Sequence, residues 1–331
     1  MRCAFVQIYG EDIDNLSVEE RSDLVAEGEA VRVRVIATAL NRADLLQRRG
    51  LYPPPAGVPD HTKDIPGLEF VGNIDQLGEG VSRWAGGERV FGIVPGGAYA
   101  DQVVTHQDLV ATVPDNLSDD EAAAIPEAFM TSFDALVLQG EMTAGERVLI
   151  HAVASGVGTA AVQLVSAWQA QAIGTAGSRY KLDKVSKIAP LFAVNYRETD
   201  FKEAVEYEFG DHAVDVILDV VGAEYWERNI ALLNTRGRLV LVGRLSGSQA
   251  KTPLGSIMSK RLRIMGTVMR ARTLAEKVTV LAAFEQQVIP LLREGKLKAV
   301  VDSVFRFEDL HRATAKMENN ENVGKIVVKF D

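Results

Sequence analysis

Hydrophobic residues follow two different periods along the 331-residue chain. Up to about Val113 they stand in short runs between closely spaced glycines, and Val31-Arg32-Val33-Arg34-Val35 alternates strictly with polar residues. Strict alternation is typical of a half-buried strand, and frequent glycines mark turns between short strands. This part of the sequence therefore predicts an all-β, barrel-like domain, with a proline-rich loop from Tyr52 to Asp64.

From Val148 onward, short apolar runs alternate with helical segments. Helices are predicted at residues 179–188, 199–209 and 225–233. Six strands joined by helices are typical of a doubly wound parallel sheet. The six predicted strands are Val148–Ala152, Ala172–Thr175, Phe192–Asn195, Val214–Val220, Arg238–Val242 and Leu262–Val268.

The last sixty residues return to a mixed pattern. A long helix is predicted from Thr273 to about Arg293, and a second one from Glu308 to Asn319. Strand-like runs at Val300–Phe305 and Ile326–Phe330 indicate that this tail rejoins the first domain. The sequence thus predicts an α/β protein of two domains, residues 1–124 with 272–331, and residues 125–271.

The first strand of the second domain ends in small residues, and a helical pattern follows Gly158. Such a turn directs backbone N–H groups and the positive end of a helix dipole at one spot, where a phosphate is stabilised. Of the three glycines in G-x-G-x-x-G only Gly158 is present, whereas Ala152, Ser155 and Gly158 fit as three small residues. This stretch alone fits both a nucleotide-binding loop and a tight turn of any α/β protein.

The residues after the second predicted strand bear on the choice of nucleotide. NAD-binding folds place an acidic residue about twenty positions after the glycine turn, where it bonds the ribose 2′-hydroxyl. Here no carboxylate occurs before Asp183, and Ser178, Arg179 and Lys181 stand at this place. This favours NADP, whose 2′-phosphate a carboxylate would repel; the other reading is a basic helix start on the surface.

Composition narrows the functional classes. A net charge of −9 argues against general nucleic-acid binding, and the single cysteine excludes a disulfide framework and a multi-cysteine zinc site. A reducing, cytoplasmic setting is expected. Residues 148–178 contain no charged side chain, but Ser155, Gly156 and Gly158 lie within them, which favours a buried strand–turn–helix over a membrane span.

Several motifs resemble, in order and spacing, the zinc-free medium-chain dehydrogenases/reductases. The resemblance is strongest to quinone oxidoreductases of the zeta-crystallin type, especially the tumour-suppressor-inducible subfamily. It implies a GroES-like catalytic domain, a Rossmann domain, and NADPH in the crevice between them, reducing quinones or conjugated carbonyls. The motifs are residues 41–45, 49–52, 65–69, 124–128, 148–161, 175–178, 195–196, 225–226, 317–319 and 323–327.

The resemblance also implies roles for individual residues. Ser155, Gly156, Val157 and Gly158 would face the pyrophosphate, and Ser178, Lys181 and Tyr196, beside Arg179, would surround the 2′-phosphate. Asn41 and Thr131 would lie near the nicotinamide, while Gly243 and Asn322 would also contact the cofactor. Tyr52 would stand on the substrate side as the candidate proton donor. The alternatives are a loop aromatic packed on prolines for Tyr52, a turn amide for Asn41 and a helix-face hydroxyl for Thr131.

No catalytic zinc is predicted. Zinc relatives carry a ligand cysteine near Asn41 and a ligand histidine at Leu68, and catalytic zinc normally takes three protein ligands. The five histidines show no paired metal spacing; His151 is better explained as a strand-end residue. A quinone is already electrophilic, so hydride transfer to it needs less help from a Lewis acid than reduction of an aldehyde.

Two other functions remain open. The same cleft would suit an NADPH-dependent reductase of α,β-unsaturated carbonyls. The chain could instead be a low-turnover NADPH-binding protein or an RNA-binding relative of zeta-crystallin, which the acidic charge disfavours. Relatives pair through the last strand of the nucleotide domain, so a homodimer through Leu262–Val268 is expected.

Overall fold

The structure is a computed structural model that describes residues 1–11, 15–55 and 58–330. Ala56 and Gly57 of the predicted proline-rich loop, and the side chain of His61, lie outside this description. The chain divides into two compact units, residues 1–127 with 269–331 and residues 128–268. The boundaries predicted from the sequence lie within 3 residues of these.

Strands and helices occupy most of both units. The strands are β1 Arg2–Val6, β2 Leu16–Glu20, β3 Ala30–Ala39, β4 Glu69–Leu77, β5 Arg89–Ile93, β6 Gln102–His106, β7 Val110–Thr112, β8 Arg147–Ile150, β9 Gln171–Ala176, β10 Phe192–Asn195, β11 Val214–Asp219, β12 Leu233–Leu241, β13 Arg263–Gly266, β14 Val301–Arg306 and β15 Lys325–Lys329. The helices are α1 Arg42–Arg48, α2 Asp119–Ala123, α3 Pro126–Phe133, α4 Gly156–Ala167, α5 Arg179–Ser186, α6 Phe201–Phe209, α7 Trp226–Leu232, α8 Leu254–Lys260, α9 Leu274–Gln287, α10 Ile289–Arg293 and α11 Leu310–Glu318. None of the helices in the described part of the chain has the length and apolar character that a bilayer crossing requires.

The first unit is built on a mainly antiparallel sheet. Its strands follow the order β14-β15-β3-β4-β5-β7, and β6 also pairs with β3. In β3 the valines at 31, 33 and 35 are buried while Arg32 pairs with Asp75 near the surface, at 2.8 Å. The alternation read from the sequence is therefore confirmed, and its apolar face packs on Phe70 and Val90.

The expectation that residues up to 113 are all β is wrong at α1. Asn41 caps the start of this helix in a capping box with Asp44, and the buried side chains of the helix include Asp44, Gln47 and Arg48. Because polar and charged residues occupy its inner face, the helix carries no apolar stripe that periodicity could detect. Short 3₁₀ turns at Asp60–Thr62 and Gln107–Leu109 also interrupt the strands.

The second unit contains the predicted doubly wound sheet. Six parallel strands follow the order β10-β9-β8-β11-β12-β13, which is 3-2-1-4-5-6 when they are numbered along the chain. Leu149, Ile173 and Ile217 fill the core of the sheet and are fully buried. The strand order reverses between β8 and β11, and in such sheets ligands bind outside the carboxyl ends of the strands at that point.

The tail returns to the first unit, as predicted. Strand β15 pairs antiparallel with β3 and parallel with β14. The single long helix expected from Thr273 to Arg293 is wrong: α9 ends at Gln287, and α10 starts after Val288 with Pro290 in its first turn. Proline lacks the N–H that a continuing helix would need, but it is well accommodated at a helix start.

Asp44 fastens α1 to two other segments of the first unit. Its buried carboxylate accepts hydrogen bonds from the Asn41 N–H at 2.8 Å, the Tyr99 hydroxyl at 3.0 Å and the Gly67 N–H at 3.2 Å. Burial raises the pKa of Asp44 to about 6, although the Asn41 N–H, the charge of Lys325 and the Tyr99 hydroxyl oppose the rise. The protonated form is thus favoured by folding.

Asp44 should therefore make the protein less stable as the pH rises. Its folded pKa of about 6 lies above the ordinary value of 3.8, so its stabilising contribution is complete below about pH 3.8 and is lost as the pH rises through about 6. Two pKa units correspond to about 3 kcal/mol. In urea unfolding between pH 4 and 7.5, the wild type should lose about that much more stability than Asp44→Asn, which cannot titrate.

The exposed Asp211 provides the matched control. Asp211→Asn should follow the pH dependence of the wild type. The new amide of Asp44→Asn can also lower stability by an amount that does not change with pH. The test therefore compares the slopes of stability against pH and not the absolute stabilities. Parallel curves for the wild type and Asp44→Asn would contradict the assignment.

Candidate active site

In the turn after β8, the start of α4 packs very closely on the backbone that follows the strand. Strand β8 ends at Ile150, two residues before the predicted end, because the chain turns at His151 and Ala152 has a φ of +50°. The Ser155 hydroxyl caps α4 by accepting a hydrogen bond from the Gly158 N–H at 3.0 Å. A Cβ at Gly158 would lie 2.5 Å from the Ala152 carbonyl oxygen. The one glycine retained from the fingerprint is therefore the one on which close helix–strand packing depends.

The first turns of α4 and α5 contain no acidic residue. By contrast, α2 starts with Asp119, Asp120 and Glu121, and α9 carries Glu276 in its first turn. Acidic side chains normally complement the positive end of a helix dipole, and a bound anion can take that role instead. The turn formed by Ser155, Gly156, Val157 and Gly158 at the carboxyl end of β8 therefore fits a dinucleotide pyrophosphate.

A second polar group lies at the carboxyl ends of β9 and β10. Asn195 pairs with Ala176, which brings the segments that begin with Gly177 and Tyr196 side by side. Ser178 caps α5 by accepting from the Lys181 N–H at 3.4 Å. The Tyr196 hydroxyl lies so close to Gly177 that a Cβ there would be 2.7 Å away from it.

Two cations accompany these hydroxyl groups. The Arg179 side chain is 71% exposed and lies 3.8 Å from Glu198, and Lys181 stands in the first turn of the same helix. The structure therefore brings Ser178, Arg179, Lys181 and Tyr196 to one edge of the sheet. Hydroxyl, ammonium and guanidinium groups fit a phosphate ester.

A buried hydrogen-bonded chain supports this edge from beneath. The His151 ring nitrogens lie 3.0 Å from the Thr175 hydroxyl and 2.8 Å from Asn229 Oδ1, and Asn229 donates to Asp219 at 3.1 Å. Asp219 also accepts from the Val221 and Gly222 N–H groups. Burial lowers the pKa of His151, so the imidazole is neutral at physiological pH. Sequence reasoning missed Asn229 and Asp219; the only signal was a lone aspartate ending an apolar strand.

Gly243 and Thr131 lie in the same unit. The Gly243 N–H donates to the Asp219 carbonyl oxygen at 3.3 Å, which places this glycine just beyond β12 at the same edge. Thr131 is buried within α3. The Oγ atom of its neighbour Ser132 lies 2.8 Å from the Val157 carbonyl oxygen, which joins α3 to the first turn of α4.

In the first unit, Asn41 is held by a buried ion pair. Lys325 Nζ lies 2.7 Å from Glu69 Oε1 and donates to Asn41 Oδ1 at 2.6 Å, while Asn41 Nδ2 donates to Glu69 at 2.8 Å. The side chains of Lys325 and Glu69 are 5% and 0% exposed. The second oxygen of the Glu69 carboxylate, Oε2, accepts a hydrogen bond from the Glu127 N–H at 2.8 Å. Sequence reasoning missed this pair, although both residues stand inside the quoted motifs.

Leu68 and the neighbourhood of Asn41, where zinc relatives are expected to carry ligands, have a different chemistry here. Leu68 is buried and apolar, and the Asn41 amide is hydrogen-bonded at both its nitrogen and its oxygen. Among the residues that the structure describes, no three His, Cys, Asp or Glu side chains come together in a way that could hold a metal ion.

Tyr52 lies against an arginine that sequence reasoning missed. The Arg270 guanidinium carbon is 4.6 Å from the centre of the Tyr52 ring, and Arg270 Nη1 donates to the Tyr52 carbonyl oxygen at 3.0 Å. Burial raises the pKa of the Tyr52 phenol, whereas the charge of Arg270 opposes that rise. No sequence pattern connects residues 52 and 270.

Asn322 has a local contact in the first unit. It is buried and donates from Nδ2 to the Gly324 carbonyl oxygen at 2.7 Å, which fixes the turn before β15. In all, the structure gathers the predicted pyrophosphate and 2′-phosphate residues with Gly243 at one edge of the parallel sheet. Asn41, Tyr52 and Asn322 belong to the other unit.

Two family models match the chain. The alcohol dehydrogenase GroES-like domain matches residues 27–115, and the zinc-binding dehydrogenase model matches residues 191–328. Among curated relatives, quinone oxidoreductase-like protein 2 of Bos taurus is 28% identical over 95% of this chain and 89% of its own length. A phenolphthiocerol/phthiocerol polyketide synthase of Mycobacterium tuberculosis is 30% identical over 96% of this chain, which spans only 14% of that relative.

Solved structures agree with these relatives. Escherichia coli quinone oxidoreductase, complexed with NADPH, has a TM-score of 0.87 with 28% identity, and 99% of each chain is covered. The CurK enoyl reductase has a TM-score of 0.85 with 28% identity over 100% of this chain and 99% of that one. The chain thus combines a GroES-like domain with a parallel sheet of the Rossmann type, the fold of NAD(P)-binding dehydrogenases. It belongs to the medium-chain dehydrogenase/reductase family of oxidoreductases.

Proposed function

We propose that this chain is a zinc-independent NADPH:quinone reductase. The observation that carries the proposal is the group formed by Ser178, Arg179, Lys181 and Tyr196 at the ends of β9 and β10, with no acidic residue in the first turn of α5. A bare ribose hydroxyl is best held by a carboxylate, whereas a 2′-phosphate is best held by cations and hydroxyl groups. These cations and hydroxyl groups therefore favour NADPH over NADH.

Each residue predicted to contact the cofactor keeps that role in this proposal. Ser155, Gly156, Val157 and Gly158 would hold the pyrophosphate, with Gly243 beside them, and Thr131, Asn41 and Asn322 would contact the remainder. When bound, NADPH supplies a hydride. The protein supplies orientation: the Lys325–Glu69 pair fixes the Asn41 amide, and His151, Asn229 and Asp219 fix the edge of the sheet. The solved complex of the Escherichia coli relative with NADPH supports this choice.

We further propose that the substrate is a quinone and that no metal takes part. Leu68 stands where zinc relatives are expected to carry a ligand histidine, and a hydrogen-bonded Asn41 lies near the position of their ligand cysteine. A quinone also needs less of the polarisation that zinc provides than an aldehyde does. Tyr52 would stand on the substrate side and give a proton to the reduced oxygen. The similarity to quinone oxidoreductase-like protein 2 supports this substrate class.

A reductase of α,β-unsaturated carbonyls is the second candidate. The similarity to the CurK enoyl reductase and to part of a polyketide synthase favours it. A low-turnover NADPH-binding or RNA-binding protein is the third, and the charge of −9 opposes RNA binding. The cytoplasmic location and the homodimer stay predictions; β13, through which pairing is expected, forms one edge of the six-stranded sheet.

Steady-state assays with NADPH separate these candidates. We expect kcat/KM for a panel of benzoquinones and naphthoquinones to exceed that for a panel of enones and enoyl thioesters by at least about tenfold, a difference of about 1.4 kcal/mol in transition-state binding. The reverse order would favour the enone reductase. Salt-sensitive RNA binding in a gel shift, without turnover of either panel, would favour the third candidate.

Lys181 should discriminate between the two coenzymes. A charge-assisted hydrogen bond contributes about 1.5–3 kcal/mol, so Lys181→Gln should raise the Kd of NADPH by about 10- to 100-fold and leave that of NADH nearly unchanged. Isothermal titration calorimetry measures both values. Lys187→Gln removes the same charge at the exposed far end of α5 and should change neither. An equal effect of Lys181→Gln on both coenzymes would contradict the assignment.

Tyr52 should act on chemistry rather than on coenzyme binding. General acid catalysis contributes about 10²-fold or more, so Tyr52→Phe should lower kcat for quinones by about that factor while the Kd of NADPH stays constant. Pre-steady-state oxidation of NADPH, followed by absorbance, reports the chemical step. A change confined to the quinone KM would instead assign Tyr52 to substrate packing.

A further inference from the structure

Arg270 contacts three other segments of the first unit and has no part in the function proposed above. It is only 5% exposed. Its Nε donates to the Pro95 carbonyl oxygen, its Nη1 donates to that of Tyr52 at 3.0 Å, and its Nη2 donates to Gln47 Oε1 at 2.8 Å. All three guanidinium nitrogens are therefore engaged, and a face of the group covers the Tyr52 ring.

Gln47 extends the reach of this arginine to the far end of the proline-rich loop. Its side chain is buried, and its Nε2 donates to the carbonyl oxygens of Lys63 at 3.2 Å and Ile65 at 3.4 Å. Arg270 thus holds Tyr52 at the start of the loop directly and residues 63–65 at its end through one amide. Ordering a loop at both ends removes much of its conformational freedom.

The guanidinium also supplies a fixed charge beside the phenol. Arginine stays protonated in proteins, and a cation over a tyrosine ring is attracted to its face. A phenol that gives up its proton leaves a phenolate, which an adjacent cation stabilises. Burial raises the pKa of Tyr52, and the charges of Glu127 and Asp44 add to that rise. The charge of Arg270 counteracts it, so the arginine favours proton release.

We propose that Arg270 is the positioning residue of the substrate side: it fixes both ends of the loop from residue 52 to 65 and orients the Tyr52 hydroxyl toward the substrate. This rests on the proposed function, in which Tyr52 is the proton donor. The quinone takes up a hydride and becomes a hydroquinone monoanion. The Tyr52 O–H bond then breaks, its proton passes to the anionic oxygen, and water reprotonates the phenolate that Arg270 stabilises.

The test uses Arg270→Met, Arg270→Lys and Tyr52→Phe, alone and combined. Arg270→Met should lower kcat for a quinone at least tenfold and leave the Kd of NADPH unchanged. In the Tyr52→Phe background the same change should alter kcat less than twofold, because no phenol remains to be positioned. Arg293→Met removes an exposed arginine of the same unit and should have no effect.

The pH dependence of kcat distinguishes charge from anchoring. Removing the guanidinium takes away the charge that lowers the pKa of Tyr52, so the alkaline limb of kcat should move to higher pH in Arg270→Met. Arg270→Lys keeps the charge and loses the three-way donor set. Its alkaline limb should stay near that of the wild type while its kcat still falls.

Tryptic cleavage after Lys63, an exposed lysine within the loop, gives a readout that needs no turnover. Arg270→Met should speed this cleavage at least tenfold relative to Arg293→Met. Equal losses of kcat with and without Tyr52, or unchanged kcat and cleavage, would overturn the proposal. If the wild type reduces no quinone, the proposed function fails before any variant is compared. The kinetic tests then use the enone panel, and for a chain inactive on both panels unchanged cleavage overturns the anchoring role.

Discussion

The first unit depends on a buried ion pair whose two members need each other. Removing a carboxylate and an ammonium from water costs several kcal/mol per ion, and the cost is offset only when charge and hydrogen bonds are both complete. Here Glu69 accepts from Lys325, Asn41 and the Glu127 N–H, and Lys325 also donates to the Leu40 carbonyl oxygen. These contacts join β4, the end of β3, the start of α3 and the last strand. The amide of Asn41 can therefore take only one orientation.

The second unit solves a related problem with a chain of hydrogen-bonded side chains. The carboxyl ends of β8, β9 and β11 each present a polar residue, and these residues form a buried hydrogen-bonded chain with Asn229. Its members are His151, Thr175, Asn229 and Asp219. A buried polar chain is stable only when every member has a partner. Its effect is to hold the strand ends in register beneath the two turns proposed to bind phosphate. An anionic ligand bound there would meet helix starts that carry no acidic residue in their first turn.

The sequence was most informative where structure is periodic or local. Alternation in β3, the six strand positions of the parallel sheet and the need for Gly158 follow from short-range patterns and were predicted. The inner face of α1 was not predicted, because Gln47 and Arg48 are polar residues that are buried, and polar residues are usually taken to be exposed. Lys325 with Glu69, and Arg270 with Tyr52, are pairs separated by more than 200 positions. Periodicity contains no information about such partners, because the fold alone brings them together.

Most of the residues that hold the proposed cofactor site in place are likewise distant from it in the sequence. The residues proposed to touch the dinucleotide were recognisable from motifs, whereas those that hold them in place were not. Motifs record which chemical groups a ligand needs, but orientation is set by packing and by hydrogen bonds from other strands.

The tyrosine above Gly177 has a consequence for altering coenzyme choice. Any side chain at position 177 would have to displace the Tyr196 hydroxyl. The Tyr196 ring would then move relative to the Tyr225 ring, and the centres of the two rings now lie 6.3 Å apart. Substitutions on α5 leave this contact unchanged, whereas a substitution at position 177 would also move Tyr196. Gly177 and Tyr196 would therefore have to be redesigned together.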